Sequence, residues 1–150
     1  MTFYRVGKVL GRGAFGKVNL GMHKLVRKLV ALKFLDKKDL KDGETKNKLL
    51  REVNFLLKLR HDNVVKIFET IEDKKHFVIV MEICAGGDLL NYVRKRRKLK
   101  EPVAKKIFKQ ILDGLCYIHS KLIAHRDIKL DNILLDGSGN VKIADFGVSK

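Results

Sequence analysis

Acidic residues are in short supply in this chain. Its 150 residues carry 33 Lys and Arg against 17 Asp and Glu, a formal net charge of +16. Such a balance raises polyanions as partners, nucleic acid or an anionic membrane first among them. The distribution argues otherwise. Lysines are scattered from Lys8 to Lys150, and the one dense run, Arg94-Lys95-Arg96-Arg97-Lys98, has no interleaved aromatic residues that could stack on bases. The run reads as the solvated end of a helix, and no specific nucleic-acid partner is expected. Long apolar runs are missing too. The most apolar stretch near the start is broken by Arg5, Lys8 and Arg12, which fits neither a signal peptide nor a membrane-spanning helix. No membrane partner is expected, and the expected location is cytoplasmic or nuclear. Cysteine is scarce: Cys84 and Cys116 have neither metal-ligand spacing nor a disulfide pattern, which suits a reducing compartment. Both are expected to be buried thiols. Internal repeats and low-complexity segments are absent.

With 45% hydrophobic and 33% charged residues, the composition is that of a globular chain, one domain or two small lobes. Runs rich in Val and Leu predict strands over 4–11, 18–22 and 29–34. Leu49, Leu50, Val53, Leu56 and Leu57 recur at three- and four-residue intervals and predict a helix over 44–60. Two more strands follow at 64–71 and 76–81, five in all with one helix. Ala85-Gly86-Gly87 reads as a hinge, because paired glycines admit backbone angles that other residues avoid. Beyond it lie a short helix over 88–98 and a longer one starting near Pro102, with the stripe Ile107, Phe108, Ile111, Leu115 and Ile118. Two short strands, 133–135 and 141–143, flank the turn Asp136-Gly137-Ser138-Gly139-Asn140.

The segment Gly11-Arg12-Gly13-Ala14-Phe15-Gly16-Lys17-Val18 fits three phosphate-binding patterns. A P-loop needs Ser or Thr where Val18 stands. A dinucleotide fingerprint needs a helix after the third glycine, and although Asp36 supplies its acid, Val18, Leu20 and Met22 alternate with polar or small residues at strand periodicity. A glycine-rich hairpin between two strands remains, whose small residues let backbone amides approach the phosphates of ATP. Alone it would be an ordinary turn.

Other residues give it company. Val30-Ala31-Leu32-Lys33 sets a lysine on the third strand under that loop, and Glu52, beside the apolar helical stripe, offers the charge to hold it. Later come His125-Arg126-Asp127-Ile128-Lys129-Leu130-Asp131-Asn132 and Asp145-Phe146-Gly147. Asp145 can bind magnesium through its carboxylate, Asn132 can offer a carbonyl oxygen to a second magnesium, and Asp127 can accept a proton from an attacking hydroxyl. Each residue alone could be a turn or a cap; their joint order makes coincidence a poor explanation.

From Tyr4 to Lys150 this wording closely resembles the eukaryotic protein kinase family. Lys129, two residues after Asp127, resembles the serine/threonine branch, and 51–69 and 86–93 are similar to the calcium/calmodulin-dependent and AMP-activated group. The resemblance implies an α+β, bilobal fold, with a five-stranded first lobe and hinge over 1–84 and an incomplete, mainly helical second lobe over 85–150. It implies transfer of the γ-phosphate of ATP, with Mg2+, to Ser or Thr hydroxyls of protein substrates. Gly11, Gly13 and Gly16 would cover the phosphates, Lys33 held by Glu52 would orient them, Asp127 and Lys129 would serve transfer, and Asn132 and Asp145 would hold metal. Met81 matches the gatekeeper, Glu82 and Cys84 the hinge that hydrogen-bonds adenine, and Val18, Ala31 and Leu134 the walls around its ring. Asp88 resembles the acidic residue near the ribose, and Asp88 with Asp131 resembles kinases that prefer basic residues before the target. Leu56, Ile67, His125 and Phe146 match an apolar stack of the active form. Asp62 stands where the family has proline. The rest of the activation segment and the Ala-Pro-Glu motif do not occur in the sequence, so a C-terminally truncated kinase domain is expected. A catalytically inert ATP-binding module is the alternative.

Overall fold

The computed structural model describes residues 3–13, 16–40, 47, 53–54 and 56–145. The chain divides into two compact units, Met1–Lys58 with Lys66–Ile83 and Leu59–Val65 with Cys84–Lys150.

In the first unit β1 (Tyr4–Gly13), β2 (Gly16–His23), β3 (Leu29–Asp36), β4 (Ile67–Glu72) and β5 (His76–Met81) form an antiparallel sheet of order β1-β2-β3-β5-β4. The expected strands are all present, with β1, β2 and β3 each longer than predicted. Alternation explains the interior: Val30, Leu32 and Phe34 on β3 and Val78 and Val80 on β5 form one buried cluster with Tyr4, against which Phe68 and Ile71 pack. Leu32, Val78 and Val80 have no exposure at all, and burying such a side chain stabilises by about 1.5–3 kcal/mol. The two edge strands also meet through side chains, since the Tyr4 hydroxyl on β1 donates to Glu69 Oε1 on β4. A bulge in β1 between Val6 and Val9 diverts the Gly7 carbonyl, which accepts instead from Asn19 Nδ2 at 2.9 Å.

Two expectations in this unit need correction. The predicted helix over 44–60 ends early: Leu57 N–H donates to the Val53 carbonyl at 2.8 Å, but 57–58 are turn and 59–60 are irregular. Val53 and Leu56 of the predicted stripe are buried, and Leu49 and Leu50 lie outside the described residues. The predicted strand over 64–71 is divided. Only Ile67–Glu72 joins this sheet; Val64 bridges Ile143 in parallel, and Val65 N–H donates to the Ile143 carbonyl at 2.9 Å. An apolar run announces a strand without saying which sheet it joins.

The second unit has a small sheet of β6 (Gly87–Asp88), β7 (Ile133–Leu135) and β8 (Val141–Ile143), with α1 (Leu89–Arg96) and α2 (Glu101–Ser120). The helix predicted from 88 to 98 is shorter at both ends, because Asp88 is its cap and Arg97 leaves the helical region at φ 62°. Pro102 sits in the first turn of α2, as expected. On α2, Ile107 and Ile118 are buried, but Phe108 is 61% exposed. One residue past Ile107 is 100° around the helix, too far to share its face. Gly114 is the third buried position, seated against the Asn63 carbonyl and Ile143, and no hydrophobic stripe would reveal it. The cysteine expectation also fails: Cys116 is exposed and Cys84 only partly buried. Cys116 follows Ile107 by nine residues, half a revolution from the buried face. Among the described residues no helix is long and apolar enough to cross a membrane.

Candidate functional site

In the first unit, sheet register arranges the predicted residues. Val18 pairs with Lys33 and Leu20 with Ala31 across β2 and β3, and Lys33 pairs with Ile79 and Ala31 with Met81 across β3 and β5. Directly opposed residues in an antiparallel ladder project to one face, so Val18, Ala31, Lys33 and Met81 share a face opposite to Leu32. Gly11 opposes Val18, and Gly13 opposes Gly16, on the hairpin between β1 and β2. The segment after Gly16 is therefore a strand, and the helix that a dinucleotide fingerprint requires is not there. Gly16 has φ 143°, and a Cβ added to it would lie 1.9 Å from the Phe34 carbonyl oxygen, so glycine is required at this position. Ala14, Phe15 and Glu52 lie outside the described residues. At the end of β5, Glu82 exchanges two hydrogen bonds with the Lys66 backbone: its N–H donates to Lys66 O at 2.9 Å and its Oε1 accepts from Lys66 N–H at 2.8 Å.

The second unit gathers the rest around the loop before β7. Asp127 Oδ2 accepts from Asn132 Nδ2 at 2.8 Å and pairs with Lys129 Nζ at 2.9 Å. Asn132, itself buried, also donates from Nδ2 to the Asp127 carbonyl at 2.8 Å. Both acceptors are oxygens, which fixes the amide orientation and turns its carbonyl oxygen away as an acceptor. The Lys129 ammonium, then the Asn132 amide, hold the Asp127 carboxyl below its ordinary range, and Asp127 in turn raises Lys129.

Ala144 ties this loop to the end of β8. Its N–H donates to the Asn132 carbonyl at 2.9 Å, and its carbonyl accepts from His125 Nε2 at 2.8 Å. His125 Nδ1 accepts from the Asp127 N–H at 3.3 Å, so the proton rides on Nε2. Burial pushes the His125 pKa down despite the Ala144 carbonyl and the nearby Asp127 and Asp145. Asp145, next in the chain, is exposed at φ 55°, and Arg126 lies at φ 64°. Left-handed geometry costs a non-glycine residue about 1–2 kcal/mol, and such strain concentrates at functional sites. Phe146 and Gly147 lie outside the described residues.

Asp88 and Leu134 pair across β6 and β7. Asp88 caps α1, taking Asn91 N–H on Oδ1 and Asn91 Nδ2 on Oδ2, both at 2.7 Å. Cys84 accepts from Gly87 N–H at 3.3 Å, Gly86 N–H donates to Leu135 O at 2.9 Å, and Gly87 has φ 75°. The predicted hinge glycines thus seat the chain on β7. Sequence reasoning missed Asn63 and Ala144. Asn63 receives Ile143 N–H at 2.8 Å and donates from Nδ2 to Val141 O at 3.0 Å, fixing β8 from the far side. Both act mainly through backbone groups, which leave no mark in residue identity.

An antiparallel sheet carrying a glycine hairpin and an in-register lysine, and a separate loop holding an aspartate between a lysine and an asparagine, are the parts that the resemblance to protein kinases calls for. Residues 4–150 match the protein kinase domain family, and the chain belongs to it. It is 39% identical over 146 residues to the serine/threonine protein kinase OSK3 of Oryza sativa subsp. indica, covering 97% of this chain and 29% of that protein. It is 40% identical over 149 residues to the carbon catabolite-derepressing protein kinase of Secale cereale, covering 97% of this chain and 30% of that protein. The chain therefore spans about three-tenths of the length of the curated relatives it matches.

Proposed function

We propose that this polypeptide supplies the ATP-binding and catalytic-loop portion of a serine/threonine protein kinase that phosphorylates protein substrates bearing basic residues near the target. The observation that carries this reading is the carboxylate of Asp127, held at one oxygen by both Lys129 and Asn132. A lowered pKa keeps it ionised at neutral pH, ready to orient a Ser or Thr hydroxyl and take its proton as the phosphoryl group transfers. Lys129, already beside it, offsets charge on the moving group. Lys33 on its strand pairs with phosphates of ATP, under a hairpin whose Gly16 admits no side chain. Glu82, just past β5, offers its backbone to adenine. Val18, Ala31 and Met81, on one face of the sheet, line the ring. Asp88 and the exposed Asp131 attract basic substrate residues.

The donor set suits magnesium. Asn132 presents a carbonyl oxygen of fixed orientation and Asp145 a carboxylate, oxygen ligands only, and Mg2+ takes few protein ligands. When bound there, the ion would neutralise phosphate charge. Radiolabelled γ-phosphate transfer to a basic serine peptide by the full native polypeptide tests the reading. Transfer that disappears in Asp127→Asn is expected; ATP binding with no transfer by the wild type would make the chain an inert nucleotide-binding module.

A further inference from the structure

The end of α1 and the connection to α2 carry more positive charge than the fold can use. Arg94, Lys95, Arg96, Arg97, Lys98 and Lys100 are all exposed. Three of them lie in the last turn of α1, where cations complement the helix dipole. That accounts for Arg94, Lys95 and Arg96 but not for the others. Lys100 is the N-cap of α2 and makes no side-chain capping bond. At a helix N-terminus the dipole is positive and cations are disfavoured. Arg97 adds backbone strain, holding φ 62° at a position where glycine would be easier. Over 94–109 the ion pair found among the described residues is Lys105 with Glu101, at 2.7 Å. Charge placed against both dipole and backbone preference marks a surface shaped for a partner.

We propose that this surface docks an acidic segment of a protein substrate, a reading that rests on the kinase function above. Chemistry narrows the partner. The nearby aromatic ring, Tyr92, is covered by the Arg96 guanidinium at 3.7 Å, so it is not open for stacking a nucleic-acid base. Leu99 is partly buried, so 94–100 lacks the exposed apolar anchor of a membrane-surface helix. A compact set of guanidinium and ammonium groups on a helix end suits a short run of carboxylates. The position also fits. α1 packs against the 130–132 turn of the catalytic loop, and its eight residues span about 12 Å. A substrate chain of about four extended residues covers that length, so a carboxylate run some residues away from the phosphoacceptor can reach the basic end.

The test uses the full-length native polypeptide and a fluorescent hexaglutamate peptide, without ATP. The triple variant Arg96→Glu/Arg97→Glu/Lys98→Glu is compared with the wild type, and Arg96→Gln/Arg97→Gln/Lys98→Gln serves as a milder variant less apt to disturb folding. Wild-type binding that weakens about tenfold or more in both variants, and on raising salt from about 50 to 200 mM, is expected. Alongside, kcat/KM is measured for a basic serine peptide with and without a hexaglutamate tail. The tail should raise kcat/KM in the wild type only, with the tail-less peptide used equally by all three proteins. Equal hexaglutamate binding by wild type and variants overturns the proposal, as does tighter binding of a duplex DNA or of phosphatidylserine vesicles at the same salt. If neither peptide is phosphorylated, the kinase reading fails, and the ATP-free binding still decides whether the surface takes acidic chains.

Discussion

The two units hold their candidate site residues by different physics. In the first, Val18, Ala31, Lys33 and Met81 share a face because strand register puts them there, and register is secured by the buried cluster of Leu32, Phe34, Val78 and Val80 on the opposite face. In the second, Asp127 is held by two side-chain contacts, and its loop is tied down by Ala144 and bounded by left-handed Arg126 and Asp145. Placement by a ladder is spread over many contacts. Placement by a polar loop depends on a few. The first should fail through bulk packing and the second through single polar groups.

The largest effect is expected at Asp127, which holds the loop and is proposed to act as the general base. Asp127→Asn in the full native enzyme should lower kcat by about 10²–10⁴-fold, the range ascribed to a general base, with the far-ultraviolet circular dichroism unchanged. Steady-state kinetics decide it; near-wild-type turnover removes Asp127 from its role. Next comes Leu32→Ala, which leaves every polar contact of the catalytic loop in place yet opens a cavity in a fully buried site. It should cost about 2–5 kcal/mol of stability in urea unfolding, and ATP affinity should fall with it. A cost under about 1 kcal/mol would mean that register is held by something other than this cluster.

How much of this was legible in the sequence follows the same division. Strand periodicity and the order of Gly11, Gly13, Gly16 and Lys33 announced the first sheet, and all five strands are present. What escaped was partnership: 64–65 read as strand but pair with β8, because alternation carries no information about the neighbouring strand. For the catalytic loop, residue types and spacing sufficed to nominate Asp127, Lys129 and Asn132, since side-chain chemistry is what the contacts use. The roles of Ala144 and Asn63 stayed hidden in backbone groups. Phe108 was misjudged as core because hydrophobicity was weighed above helical angle, since it sits 100° from the buried Ile107; Cys116 was expected to be buried from cysteine spacing alone, which says nothing of helix face. Glu52, by contrast, lies outside the described residues, and its pairing with Lys33 is a proposal.

A smaller effect would sharpen the comparison from the sheet's side. The bond from Tyr4 to Glu69 joins the two edge strands, a side-chain contact of the kind that ties the second unit. Burial, then the Glu69 hydrogen bond, pushes the Tyr4 pKa up to about 12. The raised value means that this contribution is complete below the ordinary tyrosine pKa of about 10 and is lost as pH rises through about 12. Tyr4→Phe should destabilise by about 1.5–3 kcal/mol, the range for a hydrogen bond to a charged group, and should remove that alkaline dependence. A pH-independent loss smaller than about 0.5 kcal/mol would show that the edges are closed by packing alone.

The smallest effect expected is a pH dependence centred on His125. Its ring is buried, Nε2 donates to Ala144 O, and Nδ1 accepts from Asp127 N–H. Protonation would place a second N–H on Nδ1, facing another N–H, in a site that already disfavours charge. Its folded pKa is therefore depressed. In the unfolded chain the imidazole binds a proton near about pH 6.5, while the folded one does not, so stability is complete above that pH and declines as pH falls toward the lower folded value. Urea midpoints of wild type and His125→Phe, taken between about pH 7.5 and 5.5, read this directly. The phenyl ring strands the Ala144 carbonyl, so the variant should be less stable throughout, but its midpoint should fall less with acid than that of the wild type. Parallel midpoint curves would mean that His125 accepts its proton in the folded loop, and that the loop tolerates the loss of the Asp127 N–H contact.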